Sequence, residues 1–461
     1  MIPSTQDTIT AISTPPGEGG IGIVRISGPE ALPIALKLFR PVINPKKLES
    51  HKAKVGKLVK FPSEEVVDKV IFLPMLAPNS YTAEDTVEFH CHGGRMPLSL
   101  ILKETLNLGA RMAEPGEFTK RAFLNGRIDL TQAEAVISLI KSTSEGSLKT
   151  AVRQLDGGLS RVLSEFREEL MGLLARIEAE IDFPEEEIEP ILFPEIEVGT
   201  EKVLEKMERL GKTYEQGKVL RDGVETAIVG RPNVGKSSLL NFLLDFDKAI
   251  VAPIPGTTRD IIEEALNIRG ITLKIMDTAG IRTHGDAIEK EGIRRTRKAL
   301  EGADLVLAVF DISRELTPED LETIKAVKSK KVIPVLNKCD LEKGLDTDRL
   351  KKLLPHSTTV QISAKKKEGI HGLEEAIYQT IWDSKMDMSE NVLITRMRHE
   401  EKIQKAIGAL RGVLRSLQDS LPPEFVAADL RSALDWLGEI TGESYSDEVL
   451  EKIFSEFCIG K

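Results

Sequence analysis

The sequence predicts an α/β multidomain chain: an N-terminal mixed α/β domain, then an α-helical domain split in two by an inserted P-loop domain of the doubly wound type. Three observations predict it. Gly230-Arg231-Pro232-Asn233-Val234-Gly235-Lys236-Ser237 is a complete G-x-x-x-x-G-K-S between the apolar run Val224 to Val229 and the apolar-faced stretch Ser238 to Leu244. A strand, a glycine turn and a helix in that order wrap phosphates in backbone N–H groups. Strand and helix patterns then alternate from about Gly223 to Trp382, while apolar stripes of 3.6-residue period lie on both sides of that stretch. One helical domain carrying an insertion is the economical arrangement, and insertions succeed where entry and exit lie close together. At 461 residues the chain exceeds a single core, and the expected boundaries are 1–118, 119–220, 221–382 and 383–461.

In chain order, Thr8 to Ile12 and Ile21 to Ile26 read as strands separated by the Pro15-Pro16-Gly17-Glu18-Gly19-Gly20 turn. Pro29 to Phe39 reads as a short helix and Val66 to Leu73 as a strand. Asp85 to His92 alternates like a half-buried strand and stops at Gly93-Gly94, before a helix near Leu98 to Leu108. His90 and His92 share one face of that strand; with no further ligand nearby they read as hydrogen-bonded histidines beside a turn. Arg25 and Glu88 sit on strands with no ion-pair partner evident in the sequence.

From Glu117 the pattern is helical. Leu159, Val162, Leu163, Phe166, Leu170, Leu173, Leu174, Ile177 and Ile181 keep the period, and Val203, Met207, Leu210 and Tyr214 resume it after the break at Pro184 to Pro194, whose Glu185-Glu186-Glu187 reads as solvated loop. Beyond the insertion, stripes at Ile403 to Leu417 and Leu430 to Ile440 precede a last helix capped by Ser446. The sequence then runs Phe457-Cys458-Ile459-Gly460-Lys461. Cys458 is either a thiol activated by the positive charge of Lys461 or an incidental cysteine, and chemistry alone leaves both open.

The balance of 63 Lys+Arg against 73 Asp+Glu, net −10, excludes a broad nucleic-acid-binding surface, so any RNA contact is local or shared with a partner. Cys91, Cys339 and Cys458 form neither a zinc nor a disulfide pattern. Met1 to Asp7 lacks a basic, apolar leader, and no apolar stretch approaches the roughly 20 residues a membrane helix needs. A cytoplasmic protein without a membrane segment is expected.

The motifs identify a nucleotide. Lys236 is placed to reach the outer phosphates and Ser237 to ligate Mg²⁺, with the helix dipole aimed at the anion. Asp277-Thr278-Ala279-Gly280 ends an apolar strand, which suits an acidic residue acting on that metal. Asn337-Lys338-Cys339-Asp340 follows another; Asp340 can accept both donors of a guanine edge, which adenine lacks. Ser363-Ala364-Lys365 completes what resembles the base pocket of GTPases, so the ligand is GTP or GDP. Ile281 follows Gly280 where Ras-like GTPases carry the glutamine that orients water. Hydrolysis therefore needs other help, with Glu289, Arg282 or a bound cation as candidates.

Taken together the sequence resembles the bacterial and organellar tRNA-modification GTPase family MnmE, also called TrmE, over its whole length. The resemblance is carried by Thr14-Pro15-Pro16-Gly17 with Gly22-Ile23-Val24-Arg25-Ile26-Ser27-Gly28, by Asn79 to Asp85 and His92-Gly93-Gly94, by Pro115 to Asn125 and Asp129 to Ala135, by the GTPase motifs and by the terminal Cys-Ile-Gly-Lys. It implies a folate-binding, dimerising N-terminal domain, in which a tetrahydrofolate derivative is held at Arg25, Glu88, Arg127 and Lys461. It implies nucleotide contacts at Asn233, Gly235, Lys236, Ser237, Ser238, Thr257, Thr258, Asp277, Gly280, Asn337, Lys338, Asp340, Ser363 and Ala364. Mg²⁺ would be held by Ser237 and Thr258, and K⁺ by Asn233 with Ala252, Ile254 and Thr257; the K⁺ would supply the charge of an arginine finger. Glu289 matches the family's catalytic glutamate and Cys458 the terminal cysteine tied to the modification.

The resemblance further implies a homodimer and a complex with the FAD-dependent MnmG (GidA), adding aminomethyl or carboxymethylaminomethyl groups to carbon 5 of the tRNA wobble uridine. Arg396, Arg398, Lys402 and Lys405 are either a tRNA contact or a solvated helix face. A GTPase assembly factor without nucleoside chemistry is the alternative reading.

Overall fold

A computed structural model describes residues 7–43, 48–182, 193–247, 264–276, 300–382 and 392–461. They form two compact units, one of residues 1–140, 154–205 and 401–461, the other of residues 141–153 and 206–400.

The first unit contains β1 (Ile9–Ile12), β2 (Gly19–Ser27), β3 (Phe39–Pro41), β4 (Lys54–Val59), β5 (Val66–Met75), β6 (Thr86–Gly93) and β7 (Arg111–Met112), in the sheet order β3-β4-β5-β6-β2-β1-β7. Neighbours are antiparallel except β1 and β7. Strand alternation decides what each face carries. Val24, Ile26, Val87 and Phe89 join α1 (Ala31–Leu38) and α2 (Arg95–Asn107) in one core. The residues between them, Arg25, Glu88 and His90, are thereby carried to the opposite face. There α3 (Glu117–Leu124) packs Phe118 against Ile9, Ala11 and Ala113, with Tyr81 beside it. Arg121, only 2% exposed, fastens α3 by ion pairs to Asp7, Glu84 and Glu117 at 2.7, 3.2 and 3.0 Å. A buried guanidinium persists where carboxylates surround it.

Helices α4 (Leu130–Ile140), α5 (Glu145–Leu155), α6 (Gly158–Asp182), α7 (Phe193–Lys212) and α8 (Tyr214–Asp222) follow. The apolar stripe of α6 packs along the helix Pro423–Thr441 near the other end of the chain. The last helix, Asp447–Ser455, is capped by the Ser446 hydroxyl, which accepts the Val449 N–H. Its Leu450, Ile453 and Phe454, with Phe457, close a core over Phe123, Leu130 and Ile137.

In the second unit β8 (Val224–Val229), β9 (Glu264–Ile268), β10 (Ile271–Met276), β11 (Leu305–Asp311), β12 (Val332–Asn337) and β13 (Val360–Gln361) lie in the order β13-β12-β11-β8-β10-β9. All pairings are parallel except β9 with β10. Strand β8 sits where the order reverses, the switch point at which open α/β sheets bind ligands. Helix α9 (Lys236–Asp247) leaves the loop after β8. The described helices α10 (Pro318–Val327) and α11 (Thr347–Leu353) connect the later strands, and α12 (Ile370–Ile381) and α13 (Met397–Gln418) follow the last strand.

Entry and exit of this unit lie side by side. The Ile394 N–H donates to Thr213 Oγ1 at 3.0 Å, and Arg221 donates to the Thr395 carbonyl at 3.1 Å. Residues 141–153 and 206–220, within the stretch read as helical domain, pack with the nucleotide-binding sheet. Thr143 Oγ1 meets Thr272 Oγ1 at 2.8 Å, and Leu220 belongs to the sheet's core. No described helix is long and apolar enough to cross a membrane.

Candidate functional site

The loop after β8 is shaped by its own backbone. Asn233 takes a left-handed φ of 64° and Gly235 one of 99°, positive-φ backbone of the kind from which anion-binding nests are built. Lys236 folds over this loop and donates to the Gly230 and Arg231 carbonyls at 2.8 and 3.0 Å. Burial lowers the Lys236 pKa from the ordinary lysine value, and an anion beside the ammonium would offset that shift. Ser237 is the second residue of α9, with Ser238 behind it, where helix N–H groups and dipole meet phosphate.

The base-reading loop follows β12. Asn337, 3% exposed, ties the two loops together: its Nδ2 donates to the Val234 carbonyl at 2.8 Å and its Oδ1 accepts the Ala364 N–H at 3.1 Å. Asn337 is therefore a brace between phosphate loop and base pocket. Asp340 Oδ1 accepts from the Ser363 hydroxyl at 2.6 Å, which aims the carboxylate and, as the first cause, keeps its pKa below the ordinary aspartate value. Lys338, at φ 66°, pairs with Asp311 at 2.6 Å. Asp311 ends β11 opposite Asn337 in the ladder. Burial raises the Asp311 pKa, but the bonds from Lys338 and Ser313 outweigh it and the group stays ionised. Sequence reasoning missed Asp311, although the run Leu305 to Phe310 ending in an acidic residue was a legible signal. Ala252, Ile254, Thr257, Thr258, Asp277, Gly280, Ile281, Arg282 and Glu289 lie outside the described residues.

A second polar cluster stands on the outer face of the N-terminal sheet. Arg25 and Glu88, read from the sequence as charges without partners, are directly opposite each other in the β2–β6 ladder and form an ion pair at 2.8 Å. The partner is 63 residues away in sequence and becomes visible only with the register. The Arg25 guanidinium lies 5.5 Å from the ring centres of both Tyr81 and Phe118, a cation held by two aromatic faces. His90 bonds the other Glu88 oxygen at 2.9 Å, and His92 bonds Asp68 at 2.7 Å. Both histidines are thus hydrogen-bonded. Among the described residues no group of His, Cys, Asp or Glu is arranged to hold a metal. Burial raises the Glu88 pKa, Arg25 and His90 lower it, and the net shift is downward, so Glu88 is a carboxylate at neutral pH.

The C-terminal tail completes this cluster. Ile459 bridges to Pro115, and the Gly116 N–H reaches the Cys458 carbonyl at 3.5 Å. Gly460 takes φ 94°, and a Cβ there would lie 2.3 Å from the Ile12 carbonyl oxygen, so a side chain does not fit without a shift. Lys461 is brought within electrostatic reach of Arg25, Glu88 and Cys458, while Cys458 itself is exposed. Arg127 lines a neighbouring cleft of about 490 Å³ together with Tyr81, Asn79 and Ser80. Tyr81 therefore borders both this cleft and Arg25.

The basic run at the start of α13, Arg396 just before it and Arg398, Lys402 and Lys405 on it, makes contacts within the fold. Lys402 and Lys405 stand 4.5 and 4.4 Å from the Trp436 ring centre, and Lys402 also pairs with Glu439. Arg396 is buried and Arg398 bonds His399.

A loop built to hold phosphates, joined through Asn337 to one built to read a guanine edge, is the arrangement of a P-loop GTPase. Comparison with known proteins gives the particular family. The model for the GTP-binding protein TrmE N-terminus matches residues 8–127, and that for the MnmE helical domain matches residues 130–458. A tRNA modification GTPase MnmE from Ligilactobacillus salivarius is 47% identical over 100% of this chain and 99% of its own length. Those from Natranaerobius thermophilus and Acetivibrio thermocellus are 44% and 45% identical, each over 99% of this chain and 100% and 99% of their own lengths. The chain belongs to the MnmE family of tRNA modification GTPases.

Proposed function

We propose that the chain is a K⁺-stimulated, Mg²⁺-dependent GTPase that works in the cytoplasm as a homodimer with an FAD-dependent partner, MnmG. Its output is an aminomethyl or carboxymethylaminomethyl group at carbon 5 of the tRNA wobble uridine, the carbon coming from a tetrahydrofolate derivative. The observation that carries this reading is the Arg25–Glu88 pair on one sheet face, with Lys461 of the tail in electrostatic reach of both residues and of Cys458. A GTPase that only cycled between nucleotide states would need no second cluster of this chemistry.

The cluster suits a folate. The two Glu88 oxygens accept from Arg25 and His90 and keep lone pairs for the N–H donors of a pterin edge. Arg25 and Lys461, with Arg127 along the adjoining cleft, offer positive charge to the ligand's carboxylates. When bound, the folate would supply the one-carbon unit; Arg25, Glu88 and Lys461 would hold and orient it, and the exposed Cys458 thiol three residues before Lys461 would be the nucleophile. In the nucleotide unit, Ser237 with Thr258 would hold Mg²⁺. Asn233, left-handed at φ 64°, would hold K⁺ with Ala252, Ile254 and Thr257. A cation there offsets the charge that develops on the transferring phosphoryl group. Glu289 would act on the attacking water in place of the absent glutamine.

The test complements cells lacking this chain with the wild type or with Cys458→Ser, and measures tRNA nucleosides by mass spectrometry. GTP turnover of the same proteins is measured in K⁺ and in Na⁺. The expected result is loss of the 5-substituted wobble uridines with Cys458→Ser while GTP turnover is kept, and faster turnover in K⁺ than in Na⁺. Normal modification by Cys458→Ser refutes the thiol's role; equal turnover in the two salts refutes the cation site.

A further inference from the structure

We infer that residues 141–153 are a coupling element through which the nucleotide state of the GTPase unit is passed to the tRNA-modifying part of the chain. This excursion leaves the first unit after Ile140, joins the second, and returns at Gln154. What it grips there is the turn between β9 and β10. A Cβ on Gly146, in the first turn of α5, would lie 2.7 Å from the Gly270 carbonyl and 2.9 Å from Leu220, so helix backbone rests on hairpin backbone. Thr143 Oγ1 bonds Thr272 Oγ1 at 2.8 Å just beside this contact. The start of α5 is itself fixed by a reciprocal cap in which the Ser144 N–H donates to Ser147 Oγ at 3.1 Å and the Ser147 N–H to Ser144 Oγ at 3.2 Å, both serines buried.

The hairpin is the informative place to hold. In sequence β9 begins six positions after Thr258 and β10 ends at the residue before Asp277, so both nucleotide-sensing motifs are tethered by short stretches of chain to these two strands. At its other end the excursion continues into elements packed beneath the C-terminal tail. Helix α4 buries Leu130 and Ile137 against Leu450, Phe454 and Phe457, the residue before Cys458. The return is fastened where Gln132 of α4 donates to the Leu155 carbonyl at 2.8 Å. A contiguous series of packed elements, with one covalent step out and one back, thus joins the hairpin to the tail, and coupling needs such physical continuity. Only the endpoint at Cys458 depends on the chemistry proposed above; the output, modified tRNA, does not.

The decisive variant is Gly146→Ala in the full chain. Alanine is a good helix former, so α5 persists while its first turn is forced off Gly270. Wobble-uridine modification in cells lacking the native chain should fall by about tenfold, with GTP turnover of the purified protein held within about twofold. Hydrogen exchange of the α4 amides, which in the wild type should differ between GDP and a non-hydrolysable GTP analogue, should lose that difference. Thr143→Val, which removes one hydrogen bond and leaves the backbone in place, should give a smaller change of the same kind, and it decides the matter if Gly146→Ala loses GTP turnover. Unchanged modification in both variants, or parallel loss of GTP turnover and modification by Thr143→Val, overturns the inference.

Discussion

The nucleotide loop and the N-terminal cluster are both built from charged side chains fixed by neighbours, but they are assembled in opposite ways. Around the loop each function lies in a short contiguous motif at a strand end, and tertiary structure adds braces such as Asn337 and Asp311. The cluster draws Arg25 from β2, Glu88 from β6 and Lys461 from the C-terminal tail, three stretches far apart in the sequence. Local motifs make a site that survives loss of distant contacts. A site assembled from remote positions depends on register and on how the tail docks, so the two should respond to different mutations.

The largest separation is expected from Asp340→Asn. The aspartate's bonds to a guanine edge are charge-assisted, and losing them should weaken GTP binding by about 100-fold, on the order of 3 kcal/mol. Calorimetry with GDP checks this. In nucleotide-free protein the affinity for a tetrahydrofolate derivative should stay at the wild-type value. A parallel loss of folate affinity would show that the two regions are not independent in their resting state.

A smaller effect in the opposite direction is expected from Gly460→Ala. The left-handed φ costs a non-glycine residue about 1–2 kcal/mol, and the new methyl meets the Ile12 carbonyl as well. Lys461 and Cys458 should shift away from Arg25, lowering folate affinity by roughly tenfold while GDP binding is unchanged. Equal folate affinity in the variant would mean that the tail does not form part of that site.

The same contrast explains what could be read without coordinates. Strands at Val224–Val229 and Ile271–Met276, the long helix Gly158–Asp182 and the Ser446 cap follow from local pattern, because apolar period and capping chemistry act within a few residues. The Arg25–Glu88 pair was not legible, since strand register is set by the whole sheet and not by either residue. The placement of Tyr81 and Phe118 against Arg25 is likewise set by tertiary packing, Phe118 arriving on α3 and Tyr81 on the segment before β6. Residues 141–153 read as part of a helical series; that they pack with the nucleotide sheet depends on one glycine contact and one threonine pair.

The finest probe of the comparison is the charge of Lys461. Burial lowers its pKa, Arg25 lowers it further, and Glu88 and Cys458 act in the other direction. With the docked pKa below the ordinary lysine value, docking of the tail without a ligand strengthens as pH rises through that range. An anionic ligand against Arg25 and Lys461 reverses the balance: it restores protonation, so binding takes up protons and affinity falls as pH rises. Titration of a tetrahydrofolate derivative in two buffers of different ionisation heat should reveal uptake of less than one proton, with affinity changing by only about a few-fold. Lys236, also buried below its ordinary range, should show proton uptake of the same sign with GDP. Lys461→Met should abolish the folate-linked uptake and leave the GDP-linked uptake intact; uptake that persists in that variant would place the responsible group elsewhere than the tail.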